Sequence, residues 1–195
     1  MGARIREAAL KDAPGILEIY APIVESTAIS FEIVPPTSAE IARRIEEANR
    51  FLAWLVFEDG GKVMGYAYAN RHKERVAYQW SADVALYIHP EARRRGVGTA
   101  LYHSLLGILR LLGLYNAVAL IALPNPASVG LHESLGFQRV ALYPHIGFKL
   151  GSWRDVGHWV LALRATDGPP SPLARPEDLR GSPEWEAAIA GESVS

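Results

Sequence analysis

The sequence predicts an α/β (α+β) domain in which strands and helices alternate along the chain. Three observations carry that expectation. Residues 84–101 read as a buried strand, a tight turn, a glycine loop and the start of a helix. Residues 117–123 form a near-continuous apolar run, as a central strand parallel to a neighbour would. Asp59-Gly60-Gly61 separates two strand-like runs and predicts a hairpin. At 195 residues one domain is the default, with ample length for a core.

In chain order, Arg4-Ile5-Arg6 predicts a first strand. A helix follows from Lys11-Asp12, with Pro14 in its first turn and Ile16, Ile19, Tyr20 and Ile23 on one face. Residues 26–36 lack a helical period and close on Pro35-Pro36, so they are a loop. It carries Phe31, either a core plug or part of a substrate wall, and Glu32. Thr37-Ser38-x-Glu40 caps a second helix, with Ile41 and Ile45 on its buried side. The hairpin strands span residues 51–58 and 62–69. Residues 70–78 are polar and basic, with Arg71, His72, Lys73 and Arg75.

Val84, Leu86 and Ile88 alternate as a strand core, and His89-Pro90 ends that strand. Then comes Arg93-Arg94-Arg95-Gly96-Val97-Gly98, leading into a helix over residues 99–112. The two glycines let backbone N–H groups converge on one point, and the helix dipole adds positive potential there. Physically this is a polyanion site. It is neither a Walker loop, because Thr99-Ala100 follows Gly98, nor a dinucleotide fingerprint, because Leu101 stands where a third glycine belongs. The helix is apolar on more than one side, hence well buried or facing a partner subunit, and Gly113 ends it. Pro124-Asn125-Pro126 breaks the next strand and opens a short helix with Asn125 as cap, closed by Gly136. Strands are expected at 137–142 and 158–163, with a loop or hairpin at 147–157. Residues 164–195 hold Pro169, Pro170, Pro172, Pro176 and Pro183 and little apolar content. They are expected to be a tail rather than core, with one short helix near 183–189.

Composition narrows the function classes. A net charge of −1 gives no case for nucleic acid or an anionic membrane. The absence of cysteine excludes disulfides and thiol nucleophiles. The six histidines show no zinc-binding spacing, so no metal is expected. No N-terminal apolar run resembles a signal peptide, and a cytoplasmic protein is expected.

The Arg93-x-x-Gly96-x-Gly98 loop, with its flanking strand and helix, resembles the coenzyme A loop of GCN5-related N-acetyltransferases. Three further motifs resemble the phosphinothricin N-acetyltransferase branch of that family. They are Lys73-x-Arg75-x-Ala77-Tyr78-x-Trp80, then Leu123-Pro124-Asn125 with Ser128-Val129-x-Leu131-His132-Glu133-x-Leu135-Gly136-Phe137, and Gly147-Phe148-Lys149-x-Gly151-x-Trp153-x-Asp155-Val156-Gly157. The likeness spans residues 4–163, taken as the acetyltransferase domain, and leaves out residues 164–195.

The resemblance implies a strongly twisted, mixed but mostly antiparallel sheet with helices on both faces, splayed between two central parallel strands. It implies acetyl-CoA as donor, with no metal, and the α-amino group of a small amino acid as acceptor, in a homodimer. Leu86, Tyr87 and Ile88 then meet the pantetheine arm as an added strand would. Arg93, Arg94, Arg95, Gly96, Val97, Gly98 and Thr99 hold the pyrophosphate, and Asn125 and Ser128 line the far side. The family's base, a glutamate, falls on Asp83, one methylene shorter; the alternative is a solvent-facing aspartate at the strand start. His132 lies near the acetyl end. Arg75 and Arg71 suit an acceptor carboxylate. Tyr78 bounds the pocket or simply packs. Lys149 and Trp153 fall at the subunit interface and pocket rim. A non-catalytic coenzyme A-binding protein, or an acetyltransferase for another amine, is the alternative.

Overall fold

The computed structural model describes residues 2–192. Its seven-stranded sheet has the order β1-β2-β3-β4-β5-β7-β6. The strands are β1 (Arg4–Glu7), β2 (Trp54–Asp59), β3 (Lys62–Arg71), β4 (Ser81–Ile88), β5 (Asn116–Leu123), β6 (Gln138–Lys149) and β7 (Ser152–Ala162). Every neighbouring pair is antiparallel except β4 and β5. That parallel pair needs a crossover, which α3 (Val97–Leu111) supplies. The β2–β3 turn is two residues long, with φ of 58° at Gly60 and 80° at Gly61. Positive φ at both positions suits the twist of the flanking strands, and glycine supplies it without strain.

Helices cover both faces. On one, α1 (Ala13–Ser26) and α2 (Ser38–Phe51) bury Ile16, Ile19, Ile41 and Ile45 against Trp54, Val56 and Tyr66 of the sheet. Thr37 caps α2 as its sequence predicts, its side-chain oxygen accepting from the Glu40 N–H at 3.1 Å. On the other face α3 buries Leu101, Leu105, Ile108 and Leu109. Near the sheet edge, Arg6 donates to both Asp12 (2.6 Å) and Glu58 (2.6 Å). Burial pushes the Asp12 carboxyl up, but the guanidinium and the Ala9 N–H outweigh it and hold the group below its ordinary value.

The expectation of a tail is corrected. The segment after β7 folds back onto the body, α5 (Pro176–Leu179) against α2 and α6 (Pro183–Ile189) against α3. Trp185 and Ala188 are fully buried against the α3 face. The Ser104 hydroxyl donates to the Ile189 carbonyl at 2.7 Å, the Ala174 N–H to Leu112 O at 3.0 Å, and Trp80 Nε1 to Ser171 O at 2.9 Å. The physical reason is local. An average over a proline-rich stretch hides one tryptophan, and α3 offers an apolar face that one tryptophan and one alanine can fill. The same packing answers why α3 is apolar all round: sheet on one side, this segment on the other. The 147–157 region is also decided. It is the tip of a long β6–β7 hairpin, with Lys149 paired to Ser152.

Candidate active site

The two central strands set the first part of the site. β4 and β5 pair only at Ser81–Asn116, Ala82–Ala117 and Asp83–Val118. Beyond Asp83 they diverge, while β4 stays bonded to β3 and β5 to β7 on their outer edges. The β4 backbone from residue 84 onward therefore turns its free edge to the gap. A cleft of about 560 Å³ opens there. Leu86, Tyr87 and Ile88 line it from β4, and Asn125 and Ser128 from the start of α4 (Pro126–Ser134).

The loop closes the cleft at its outer end. Arg94 has φ of 60° and Gly96 of 79°, so the chain reverses twice before α3 starts. The first N–H groups of α3, at Val97, Gly98 and Thr99, have no partner within the helix and face this end. A Cβ at Gly98 would lie 3.2 Å from Leu131 Cδ2 and 3.5 Å from Leu86 Cδ2. Glycine thus seats the helix start directly on β4 and α4. Arg93 and Arg94 line the cleft; Arg95 does not, and reaches Asp59 of the β2–β3 turn at 3.5 Å. Asn125 does cap α4, its side chain accepting from the Ser128 N–H at 3.2 Å, while also lining the cleft. A free strand edge leading to a cradle of N–H groups and arginines fits an extended amide-bearing arm that ends in a pyrophosphate.

His132 lies at the back of this cleft and is buried. Its Nδ1–H donates to Ser128 O at 2.7 Å, and its Nε2 accepts from the Tyr102 hydroxyl at 2.8 Å, roles assigned from the hydrogen-bond network. Burial pushes its pKa down and burial pushes that of Tyr102 up, so both are neutral at pH 7. Both nitrogens are engaged. The ring ties α3 to α4 and has no free nitrogen to take a proton.

The second part lies on the opposite face of β4, where Asp83 and Tyr87 point toward the α1–α2 side. Asp83 Oδ1 sits 2.6 Å from His72 Nδ1. Burial raises the Asp83 pKa, opposed by His72. Tyr78 packs edge-on to the His72 ring at 5.9 Å. His158 of β7 feels the Asp83 charge; burial lowers its pKa and Asp83 opposes that. A groove of about 650 Å³ is lined by His72, Lys73, Tyr68, Asn70 and Arg44. Arg71 also lines it, its guanidinium 3.9 Å from the centre of the Phe51 ring. Arg75 is exposed and faces a separate groove of about 490 Å³, shared with Arg71, Leu173 and Arg175.

The 26–36 loop joins the two parts. Ile29 lines the donor-side cleft, while Glu32 accepts from Arg44 at 2.7 Å and from the Tyr20 hydroxyl at 3.0 Å. Phe31 lies flat against Gly147, where any side chain would collide with its ring. Beneath them Lys149 is buried, its ammonium donating to Val24 O (2.6 Å), Ser30 O (2.7 Å) and Glu32 O (2.8 Å). Lys149 is therefore an anchor of the loop and not a rim residue, whereas Trp153 is exposed. Sequence reasoning missed His72, His158, Tyr68 and Arg44 as site residues. Only the β3–β4 register, which pairs Asn70 with Asp83, brings the 72 and 83 side chains together. Among the described residues no three His, Cys, Asp or Glu side chains gather to hold a metal ion.

Comparison with known proteins agrees with this geometry. A profile described as the Acetyltransferase (GNAT) family matches residues 17–137. Phosphinothricin N-acetyltransferase of Streptomyces viridochromogenes is 36% identical over 155 residues, covering 80% of this chain and 85% of that protein. The L-methionine sulfoximine/L-methionine sulfone acetyltransferase of Pseudomonas aeruginosa is 33% identical over 172 residues, covering 87% of this chain and 100% of that one. The crystal structure of a phosphinothricin acetyltransferase from Sinorhizobium meliloti in complex with AcCoA superposes with a TM-score of 0.82 at 35% identity, over 88% of this chain and 94% of that one. The mostly antiparallel sheet splayed at its one parallel pair, the N–H cradle beside it and these likenesses together make the chain a member of the GNAT family of acetyltransferases.

Proposed function

We propose that this enzyme transfers the acetyl group of acetyl-CoA to the α-amino group of a small amino acid or analogue, directly, in a ternary complex. The observation that carries the donor assignment is the divergence of β4 from β5 beyond Asp83, beside the N–H cradle at Gly96–Gly98. The free edge at Leu86 and Ile88 pairs with the amides of the pantetheine arm, and Arg93, Arg94 and the first turn of α3 neutralise the pyrophosphate. Bound acetyl-CoA supplies an activated thioester.

On the acceptor side the chain has three tasks. It must take a proton from an amine that is largely protonated at pH 7. It must hold the acceptor carboxylate. It must keep the amine aimed at the carbonyl. Asp83 supplies the carboxylate of the proton-accepting site. Arg71 and Lys73, which line the same groove as His72, supply cations for the acceptor carboxylate; Arg75 faces the adjoining groove that Arg71 also lines, and Tyr78 packs edge-on to His72. As the C–N bond forms, the nitrogen gives up its proton and the C–S bond breaks, its electron pair leaving on sulfur, which is then protonated. The names of the relatives support a glutamate-like or methionine-derived acceptor.

The β6–β7 hairpin supports a homodimer. It leaves Val140, Tyr143, Ile146, Phe148, Leu150 and Trp153 exposed, a concentration of apolar side chains of the kind that marks a protein–protein contact. Light scattering behind gel filtration should return twice the chain mass; a single chain mass at micromolar concentration contradicts the dimer. For the reaction, thiol release from acetyl-CoA with phosphinothricin, methionine sulfone and methionine sulfoximine is the direct test. Turnover on at least one is expected, and none on all three would sink the acceptor assignment.

A further inference from the structure

We infer that His72 takes the proton from the acceptor amine, with Asp83 behind it holding the imidazole through Nδ1 and leaving Nε2 for the amine. The inference deepens the acetyl-transfer reading and rests on it. Its basis is a matter of which side chain reaches the groove. His72 lines the 650 Å³ groove beside Tyr68, Lys73 and Arg44; Asp83 lines neither that groove nor the donor cleft. The two groups meet at 2.6 Å, the Asp83 side chain 34% and the His72 side chain 18% exposed, and the imidazole is the member of the pair that lines the groove.

Two contacts hold the ring and a third holds its backbone. Asp83 fixes Nδ1, Tyr78 stacks its edge on one side, and the backbone N–H of His72 donates to Ser81 O at 3.3 Å. An ionised carboxylate at Nδ1 keeps the proton on that nitrogen, so the lone pair is on Nε2.

The other charged and titratable groups about the ring are His158 on β7, Arg71, Lys73 and Glu74 beside it in the chain, Tyr68 on β3, and Arg43, Arg44 and Glu47 across the groove on α2. In the reaction the ammonium form of the acceptor passes one proton to Nε2, and the freed nitrogen, as it bonds to the carbonyl carbon and the C–S bond breaks, gives up a second to the departing sulfur. The imidazolium, paired with Asp83, then returns its proton to solvent.

The test is the pH profile of kcat/KM for acetyl transfer in the wild type, His72→Asn and Asp83→Asn. Asparagine at 72 keeps a donor for Asp83 where Nδ1 stood and lacks a basic nitrogen, so it separates proton transfer from positioning. His72→Asn should lower kcat by roughly a hundredfold, within the span typical of a general base. It should leave the acetyl-CoA KM within about twofold and remove the acidic limb of the profile. Asp83→Asn should keep that limb while lowering kcat, because the imidazole loses the carboxylate that orients it. If His72→Asn melts early, His72→Phe, in which a ring of similar size fills the site, gives the same reading. Turnover in either folded variant with kcat and acidic limb unchanged overturns the inference and leaves Asp83 as the base. A wild type that acetylates no acceptor overturns the underlying reading, and the catalytic part of this one with it.

Discussion

The donor cleft and the acceptor groove lie on either side of β4 and are built by different means. The cleft recognises with backbone: a free strand edge, the first N–H groups of a helix, and a loop reversed at Arg94 and Gly96. The groove offers side chains: His72, Tyr68, Arg44 and Lys73 line it, contributed by α2, β3 and the segment between β3 and β4, and Asp83 of β4 meets His72 from outside that lining. Backbone recognition needs glycines and strand breaks in a fixed local order. Side-chain recognition needs only that distant residues meet, and each is free to change if a partner compensates. In the proposed site the short carboxylate of Asp83 and the His72 imidazole, 2.6 Å apart, would act as such a pair.

Three variants probe how far the two halves are independent. The largest effect is expected at the frame behind the cleft. Trp185→Ala empties a fully buried site between α6 and α3, and should cost about 3–5 kcal/mol in urea unfolding. A loss below about 1 kcal/mol would mean that the C-terminal segment merely rests on α3.

Next is the tie between the halves. Lys149→Met fills the volume but leaves three carbonyls of the 24–32 stretch without their donor. Stability should fall by about 2–3 kcal/mol. The acceptor KM should rise more than the acetyl-CoA KM, because Glu32 of that loop holds Arg44, which lines the groove. Equal rises in both would show that the loop serves the two halves alike.

The smallest effect concerns His132. Its folded pKa lies below the unfolded value of ~6.5, so the unfolded chain binds the extra proton, and stability is lost as the pH falls through that value. The urea midpoint should drop between pH 7.5 and 5.5, and His132→Gln should show a shallower drop. An identical slope in both proteins would place the pH dependence elsewhere.

The donor half was legible in the sequence and the acceptor half largely was not. Val84, Leu86, Ile88, the Arg93–Gly98 loop and the Asn125-Pro126 helix start are consecutive signals, each with a local physical cause. They predicted the residues that line one cleft, save Arg95, whose side chain was free to swing to Asp59. On the acceptor side, Asp83 was singled out, but its partner lies eleven residues away across a strand pair. Lys149 belonged to a recognisable segment, yet its burial under a loop more than a hundred residues earlier depends on the packing of the hairpin. Arg75, a strong candidate by position, faces the C-terminal segment instead of the His72 groove. The fold of that segment was hidden for the same reason: Trp185 means little until α3 is there to receive it.

The most direct test of a two-sided site measures binding and transfer separately in one variant from each side. Gly98→Asp brings a Cβ to 3.2 Å from Leu131 and a carboxylate to the phosphate cradle. Calorimetric titration should find its acetyl-CoA affinity lowered by about a hundredfold, or ~2.7 kcal/mol. Asp83→Asn should bind acetyl-CoA as the wild type does, while transfer to the best acceptor falls by about 10²–10⁴-fold. The account is contradicted if Gly98→Asp binds acetyl-CoA normally, or if Asp83→Asn transfers at the wild-type rate.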